Sequence, residues 1–345
     1  MDNAPEITDV RAAHKLDEAR LSDYLSKHLE GFSENLRVRQ FEGGQSNPTY
    51  LLQDDHHQWV LRKKPPGELL KSAHQVEREY RVMHALAGTE VPVPRVDLLC
   101  EDDSIIGTPF FVMDMIPGRI IMNPLEGGLE PAHLRALYED FIGVLASLHN
   151  VDYGAVGLAE GFGRPGNYFE RQISRWSRQY RASETQAIPE MDRLIEWLPE
   201  HIPQDDVTSI VHGDFSIRNM VVHESEAKVR AVLDWELSTI GHPLGDLGQV
   251  CYIFHFPDSS EEALRKIGVP AEEELIQLYC DKVGRDEIEG WPFYIAYSLF
   301  RLAAISQGVY KRGLDGNAAS DRALDQMTGV LRSADAGWEV VEGWR

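Results

Sequence analysis

Cysteine is scarce: only Cys100, Cys251 and Cys280 occur in 345 residues. An odd number cannot pair completely, and their spacing matches no metal-ligand pattern. That excludes a disulfide-stapled scaffold and a structural zinc site, and points to a reducing compartment. Positive charge is also in deficit, with 34 Lys and Arg against 56 Asp and Glu and a net charge of −22. Such a surface repels nucleic-acid backbones and anionic membranes, except through a local basic patch. No apolar run reaches the ~18 residues that read as a bilayer span. The longest, Trp291 to Ile305, contains Arg301 and reads as a buried helix. The start, Met1-Asp2-Asn3-Ala4-Pro5, lacks the basic-then-apolar order of a signal peptide. The expectation is a cytoplasmic protein. Low-complexity tracts and internal repeats are missing too, so the chain reads as ordinary globular sequence, long enough for two lobes.

What is present is concentrated in one stretch. Ile210-Val211-His212-Gly213-Asp214-Phe215-Ser216-Ile217-Arg218-Asn219 leads into a β-rich run at Met220 to His223. A polar turn from Glu224 to Lys228 and a second β-rich run from Val229 to Leu233 then deliver Asp234-Trp235-Glu236. This is a hairpin that gathers oxygen-bearing side chains near one end. Phosphoryl transfer from a nucleotide needs such a group. One carboxylate takes the proton of an attacking hydroxyl, while an amide oxygen and a second carboxylate hold Mg²⁺ on the phosphates. Asp214 is the candidate base, and Asn219 and Asp234 are the candidate metal ligands. The spacing from His212 to Asn219 is that of a protein-kinase catalytic loop. It should arise by chance on the order of once in a thousand chains of this length, which disfavours a mere turn motif.

Upstream, a helix is expected from Leu16 to Leu29, then strands at Leu36 to Phe41, Tyr50 to Leu52 and Gln58 to Arg62. The loop Gly43-Gly44-Gln45-Ser46-Asn47 offers a close backbone approach and hydrogen bonds to a nucleotide, although a plain hairpin turn accounts for it as well. Arg62 ends its strand where a kinase carries its phosphate-binding lysine. The helix that follows, Ser72 to Ala87, presents Glu79 as its partner. Further strands at Arg95 to Cys100 and Thr108 to Met115 precede a break at Ile116-Pro117-Gly118. Met113, Asp114 and Ile116 are candidates for adenine contact, with core packing as the plain alternative for the methionine. This break suggests lobes over residues 1–116 and 117–345.

The second lobe reads as mainly helical, over Glu130 to Asn150, Asn167 to Ser183 and Met191 to Leu198. Arg171, Arg175 and Arg178 form a basic run that suits an anionic substrate, as does Arg301, while Glu236, close to the metal carboxylate, is a further candidate substrate contact. The alternative for the run is a solvated helix face. Ala146 to His149 reads as packing. Asp246 opens a helix after an irregular loop at Leu237 to Pro243, either as a cap or as a brace for the catalytic loop. Helices over Glu261 to Ile267, Ala271 to Val283 and Trp291 to Arg312 close the chain.

These motifs resemble the aminoglycoside phosphotransferase and choline kinase-like superfamily, by motif from about Phe41 to Asp246. The resemblance implies an α+β, protein-kinase-like bilobal fold, with a small antiparallel β N-lobe and a larger helical C-lobe. It implies ATP and Mg²⁺ as cofactors, with His212 and Asp246 organising the catalytic loop. A narrower likeness lies in Gly43 to Tyr50, Leu61-Arg62-Lys63-Lys64-Pro65-Pro66-Gly67 and Phe300-Arg301-Leu302-Ala303-Ala304-Ile305. These resemble the kinase-like domain joined to acyl-CoA dehydrogenases, which implies a hydroxyacyl-CoA acceptor and a function alongside such a dehydrogenase. Arg62 departs from the usual lysine, and a guanidinium is not equivalent to an ammonium. The rival readings are a kinase of aminoglycosides or amino alcohols, which the acidic charge suits, and a nucleotide-binding pseudokinase.

Overall fold

Period-two alternation early in the chain becomes a six-stranded antiparallel sheet in the computed structural model, which describes residues 7–42, 47–65, 75–123, 128–205, 207–256, 261–316 and 321–344. Its strands are β1 (Ile7–Thr8), β2 (Arg37–Phe41), β3 (Thr49–Gln53), β4 (Gln58–Lys63), β5 (Val96–Cys100) and β6 (Phe110–Asp114). They lie in the order β1-β2-β3-β4-β6-β5. Helix α1 (Glu18–His28) begins where the Asp17 side chain accepts from the Arg20 amide at 3.1 Å. It buries Leu21 and Leu25 in a cluster with Tyr50, Leu52, Trp59, Leu61, Phe110 and Val112. Successive strand residues point to opposite faces. Arg62 therefore leaves the sheet on the side away from Leu61, toward α2 (Val76–Leu86), whose buried stripe is Val76, Glu79, Val82, Met83 and Leu86. A further single turn, α3 (Asp103–Ile106), lies between β5 and β6, and Asp102 caps it by accepting from the Ser104 amide at 2.9 Å.

The helical part begins with α4 (Pro131–Asn150), α5 (Tyr168–Ser183) and α6 (Pro189–Glu200). Helix α5 buries Phe169, Ile173, Trp176 and Tyr180 at helical spacing, each worth about 1.5–3 kcal/mol when fully buried. Strand β7 (Ser209–Val211) leads to the stretch from His212 to Asn219, and β8 (Met220–Val222) and β9 (Val229–Val232) form the expected hairpin. The segment read as an irregular loop contains β10 (Thr239–Gly241), which pairs antiparallel with β7. Helices α7 (Leu244–Cys251), α8 (Glu261–Lys266), α9 (Glu272–Val283) and α10 (Trp291–Leu314) follow. The chain does not close there, as the sequence suggested, but continues into α11 (Gln326–Trp344), which packs along α10. No helix among the described residues is long and apolar enough to cross a membrane. All three cysteines are buried and unpaired.

The chain divides into two units whose boundaries differ from the break at residue 116: residues up to 127 group with 217–238, and 128–216 group with 239–345. The cause is backbone pairing. Arg119 and Val222 exchange amide-to-carbonyl bonds of 2.9 Å in both directions, and the Val232 amide donates to the Pro92 carbonyl at 2.8 Å. The hairpin therefore belongs with the sheet, and carries Asn219, Asp234 and Glu236 with it.

In the second unit, α7 crosses α10 at Gly248, where an added Cβ would lie 2.8 Å from the Tyr294 carbonyl oxygen and 2.9 Å from Ser298 Oγ. Gly248→Ala is expected to destabilise the protein by about 1–3 kcal/mol, the usual cost of an overpacked core. Thermal denaturation followed by circular dichroism measures it. An unchanged melting temperature would show that α7 and α10 separate at no cost.

Candidate active site

In the first unit, a buried charge cluster has Arg62 at its centre. Arg62 Nη1 lies 3.0 Å from Glu79 Oε2, and Nη2 donates to Asp234 Oδ1 at 3.4 Å. Asn47 Nδ2 donates to Glu79 Oε1 at 3.0 Å and reaches Glu236 Oε2 at 3.5 Å. Burial opposes the charge on Arg62, but the Glu79, Asp234 and Glu236 carboxylates outweigh it and hold the guanidinium above its ordinary pKa. Glu79 is fully enclosed. Burial pushes its pKa up to about 7, the Arg62 charge opposes the rise, and the negative charges of Asp234 and Glu236 add to it.

Asn219 and Asp234 flank the open end of the hairpin, whose last bond runs from the Leu233 amide to the Asn219 carbonyl at 2.8 Å. Asp234 takes a left-handed conformation, φ 66° and ψ 57°, which costs a non-glycine residue about 1–3 kcal/mol. The following residue holds it there. Trp235 is fully buried, its Nε1 donates to the Val232 carbonyl at 2.9 Å, and its own carbonyl accepts from Ser238 Oγ at 2.7 Å. The anchor leaves the Asp234 side chain 37% exposed.

The sheet end near the expected adenine contacts is partly occupied. Met113 is core, opposite Val60. The Asp114 amide donates to the Arg95 carbonyl at 2.8 Å and the Met115 amide to the Gln58 carbonyl at 3.4 Å. The Asp114 carboxylate lies 3.3 Å from Arg95 Nε. Gly43, Gly44 and Ser46 lie outside the described residues.

The second unit holds the other half of the motif. Asp246, 1% exposed on α7, accepts from the His212 amide at 2.6 Å and the Gly213 amide at 2.9 Å. Gly213 has φ 81°, a conformation that glycine reaches without strain. The Asp214 amide donates to His212 Nδ1 at 3.1 Å, so that nitrogen is the acceptor and Nε2 carries the ring proton. His149, read from the sequence as packing only, bonds Asp246 Oδ2 through Nε2 at 3.5 Å and Tyr279 Oη through Nδ1 at 2.8 Å. Burial works against ionisation of Asp246. The His149 bond and charge, His212 and the Gly213 amide outweigh it and lower its pKa below the ordinary value.

The basic residues divide. Arg171 donates to the Gly166 carbonyl and, at 2.7 Å, to the Arg164 carbonyl, so its guanidinium ties down the loop before α5. Arg301 donates to the Gly213 carbonyl and to Gln249 Oε1 at 2.6 Å. Gln249 in turn donates from Nε2 to Asp214 Oδ1 at 2.5 Å. Arg175 and Arg178 stand on the exposed face of α5, Arg175 5.3 Å from the Trp176 ring centre and Arg178 bonded to Ser174 Oγ at 2.5 Å. Sequence reasoning missed Gln249 altogether, since a glutamine within a helix carries no motif.

Acyl-CoA dehydrogenase family member 10 of Mus musculus is 46% identical over 339 residues, covering 94% of this chain and 31% of the mouse protein. The chain spans less than half the length of the curated relatives it matches. A solved aminoglycoside-phosphotransferase-type chain from Ralstonia eutropha is 44% identical, with a TM-score of 0.86 over 95% of this chain and 99% of that one. The fold alone is shared with an aminoglycoside phosphotransferase solved in ternary complex with AMP-PNP and hygromycin B, at 16% identity, a TM-score of 0.63, and coverage of 94% and 99%. With the profile of the phosphotransferase enzyme family matching residues 37–277, from the second strand of the sheet to the middle of α9, this chain belongs to that family.

Proposed function

We propose that this phosphotransferase moves the γ-phosphoryl group of ATP to a hydroxyl of a hydroxyacyl-CoA, with Asp214 as base. The observation that carries the nucleotide half is a pair of orphaned atoms. Asn47 Oδ1 and Arg62 Nε are buried in the cluster around Glu79 without a partner among the described residues. Each unmade bond costs roughly 1–3 kcal/mol, so the cluster fits a polar ligand. Arg62, braced by Glu79 and Asp234, would bind phosphate oxygens. Ile116, which has no hydrogen-bond partner among the described residues, would offer its amide to the adenine. The Asn219 amide oxygen and the Asp234 carboxylate are the hard oxygen donors that Mg²⁺ takes when phosphates fill the rest of its shell. Bound there, the ion offsets charge on the phosphates.

Asp214 would orient the acceptor hydroxyl and take its proton as the new oxygen–phosphorus bond forms and the bond to the departing ADP oxygen breaks. His212 and Asp246 would keep the loop in register for that step. The acyl-CoA acceptor is supported by the mouse relative, whose name joins this sequence to an acyl-CoA dehydrogenase, and such an enzyme is the partner we infer. Two exposed cations, Arg175 and Arg178, suit its phosphates. The net charge of −22 favours a cationic acceptor instead, the second reading.

ADP release and product masses from purified protein with Mg²⁺, ATP and a panel of 4-hydroxyacyl-CoAs, choline, homoserine and an aminoglycoside distinguish the readings. Phosphorylated hydroxyacyl-CoA is the expected product. Transfer only to a cationic acceptor would keep the phosphotransferase and discard the acyl-CoA. Arg175→Ala with Arg178→Ala is expected to raise KM for the hydroxyacyl-CoA roughly 10-fold or more, the size of a lost charge-assisted phosphate contact. Equal effects on an amino alcohol would remove these arginines from the substrate site.

A further inference from the structure

Asp214 is held by a chain of side chains that begins on another helix. Gln249, on α7 and 9% exposed, donates from Nε2 to Asp214 Oδ1 at 2.5 Å and accepts at Oε1 from Arg301 Nη1 at 2.6 Å. The direction of this relay is fixed by chemistry. A guanidinium carries only donors, so the amide end facing Arg301 is the oxygen, and the nitrogen must face the carboxylate. Arg301 is itself pinned. It donates to the carbonyl of Gly213, the residue before Asp214, and its guanidinium carbon lies 5.5 Å from the Trp176 ring centre. The relay therefore closes on the loop it supports, and all its members lie in one unit.

We infer that Gln249 is a positioning residue for phosphoryl transfer, turning the Asp214 carboxylate toward the acceptor hydroxyl, with Arg301 setting the orientation of the glutamine amide. The inference rests on the reading of Asp214 as base. A neutral amide suits this place better than a cation. It fixes the plane of the carboxylate and keeps the guanidinium's formal charge out of direct contact with the group that must accept a proton. An arginine there would instead form a bidentate ion pair and occupy both oxygens. The helix supports the same role, because Asp246 and Gln249, three residues apart on α7, share a face and both reach the catalytic loop.

The test uses Gln249→Met, which keeps length and removes both polar ends, and Gln249→Glu, which keeps the acceptor for Arg301 and removes the donor to Asp214. Each is made in the full chain and again with Asp214→Asn. Turnover is read as ADP release with ATP and a 4-hydroxyacyl-CoA, and with water as acceptor if no panel compound reacts. Both variants should lower kcat on the order of 10- to 100-fold, the range for a misaligned catalytic group, while KM for ATP stays within about 2-fold and the melting temperature of at least one is retained. In the Asp214→Asn background neither should lower the residual rate further, because residues that act through one another are not additive. Wild-type kcat in a folded Gln249→Glu would overturn the inference, as would an equal loss with Asp214 already replaced. If Asp214→Asn itself turns over at the wild-type rate, the reading of Asp214 as base fails first. An inactive Asp214→Asn beside a fully active Gln249→Met removes only the glutamine.

Discussion

Asp214→Asn should lower kcat by ~10²–10⁴, the usual contribution of a positioned general base, and leave the fold and nucleotide affinity nearly unchanged. The substitution is close to isosteric. The backbone bond from the Asp214 amide to His212 Nδ1 is untouched, and an amide oxygen can still face Gln249 Nε2. What disappears is the capacity to take a proton. Arg62, which would bind phosphate, and the carboxylates that brace it, Glu79 and Asp234, belong to the other unit of the chain. Turnover by ADP release, nucleotide affinity by calorimetry and the melting temperature together separate the cases. Intact turnover would remove Asp214 from the mechanism, whereas a joint fall of turnover and melting temperature would mark a folding effect.

The sequence made some of this legible because certain chemistry is local. His212, Asp214, Asn219 and Asp234 lie within one loop and one hairpin, and their residue types admit few other uses at that spacing. Arg62 and Glu79 were readable for a different reason: element order. A strand ending in a cation and followed by a helix with a buried-face carboxylate is a pattern that survives without any contact information. Five of the six strands and most helices followed from periodicity, most within a residue or two at their ends; the two-residue β1 was not expected, and α2 begins at Val76 rather than Ser72.

What stayed hidden is long-range or faint. Gln249 acquires its meaning from Arg301, 52 residues later, and His149 from Asp246, 97 residues later. Arg171 looked like an anion-binding cation, but its partners are backbone carbonyls of a loop, which composition cannot reveal. Helix α11 buries Ser333, Ala334, Ala336 and Gly337 between Val330, Trp338 and Val341, so small side chains make up much of its inward stripe and weaken its apolar periodicity. The hairpin's allegiance to the sheet rests on Arg119 and Pro92 backbone bonds, which carry no side-chain signature.

Asp246→Ala is expected to be the most destabilising single change in the second unit, by about 3–5 kcal/mol, the range for breaking a buried ionic cluster by removing one partner. Three donors lose their acceptor at once: the amides of His212 and Gly213, and His149 Nε2. All three residues are buried, so water cannot readily replace the carboxylate. His149 Nδ1 bonds the Tyr279 hydroxyl at 2.8 Å, so the loss extends to the orientation of that pair. Asp246→Asn should recover only part of the stability. One oxygen can still accept, but the amide NH₂ then faces a backbone N–H, donor against donor. The pH dependence has a definite sign. Because folding lowers the pKa of Asp246 below its ordinary 3.8, the stabilisation is complete above that value and is lost as pH falls through the folded-state pKa. The gap in melting temperature between wild type and Asp246→Ala should therefore be full near neutrality and shrink once the solution is more acidic than the ordinary carboxyl. A stability loss of under about 0.5 kcal/mol at neutral pH, within the range of an ordinary surface change, or a melting-temperature gap that widens on acidification, would mean that this carboxylate does not brace the loop at His212 and Gly213.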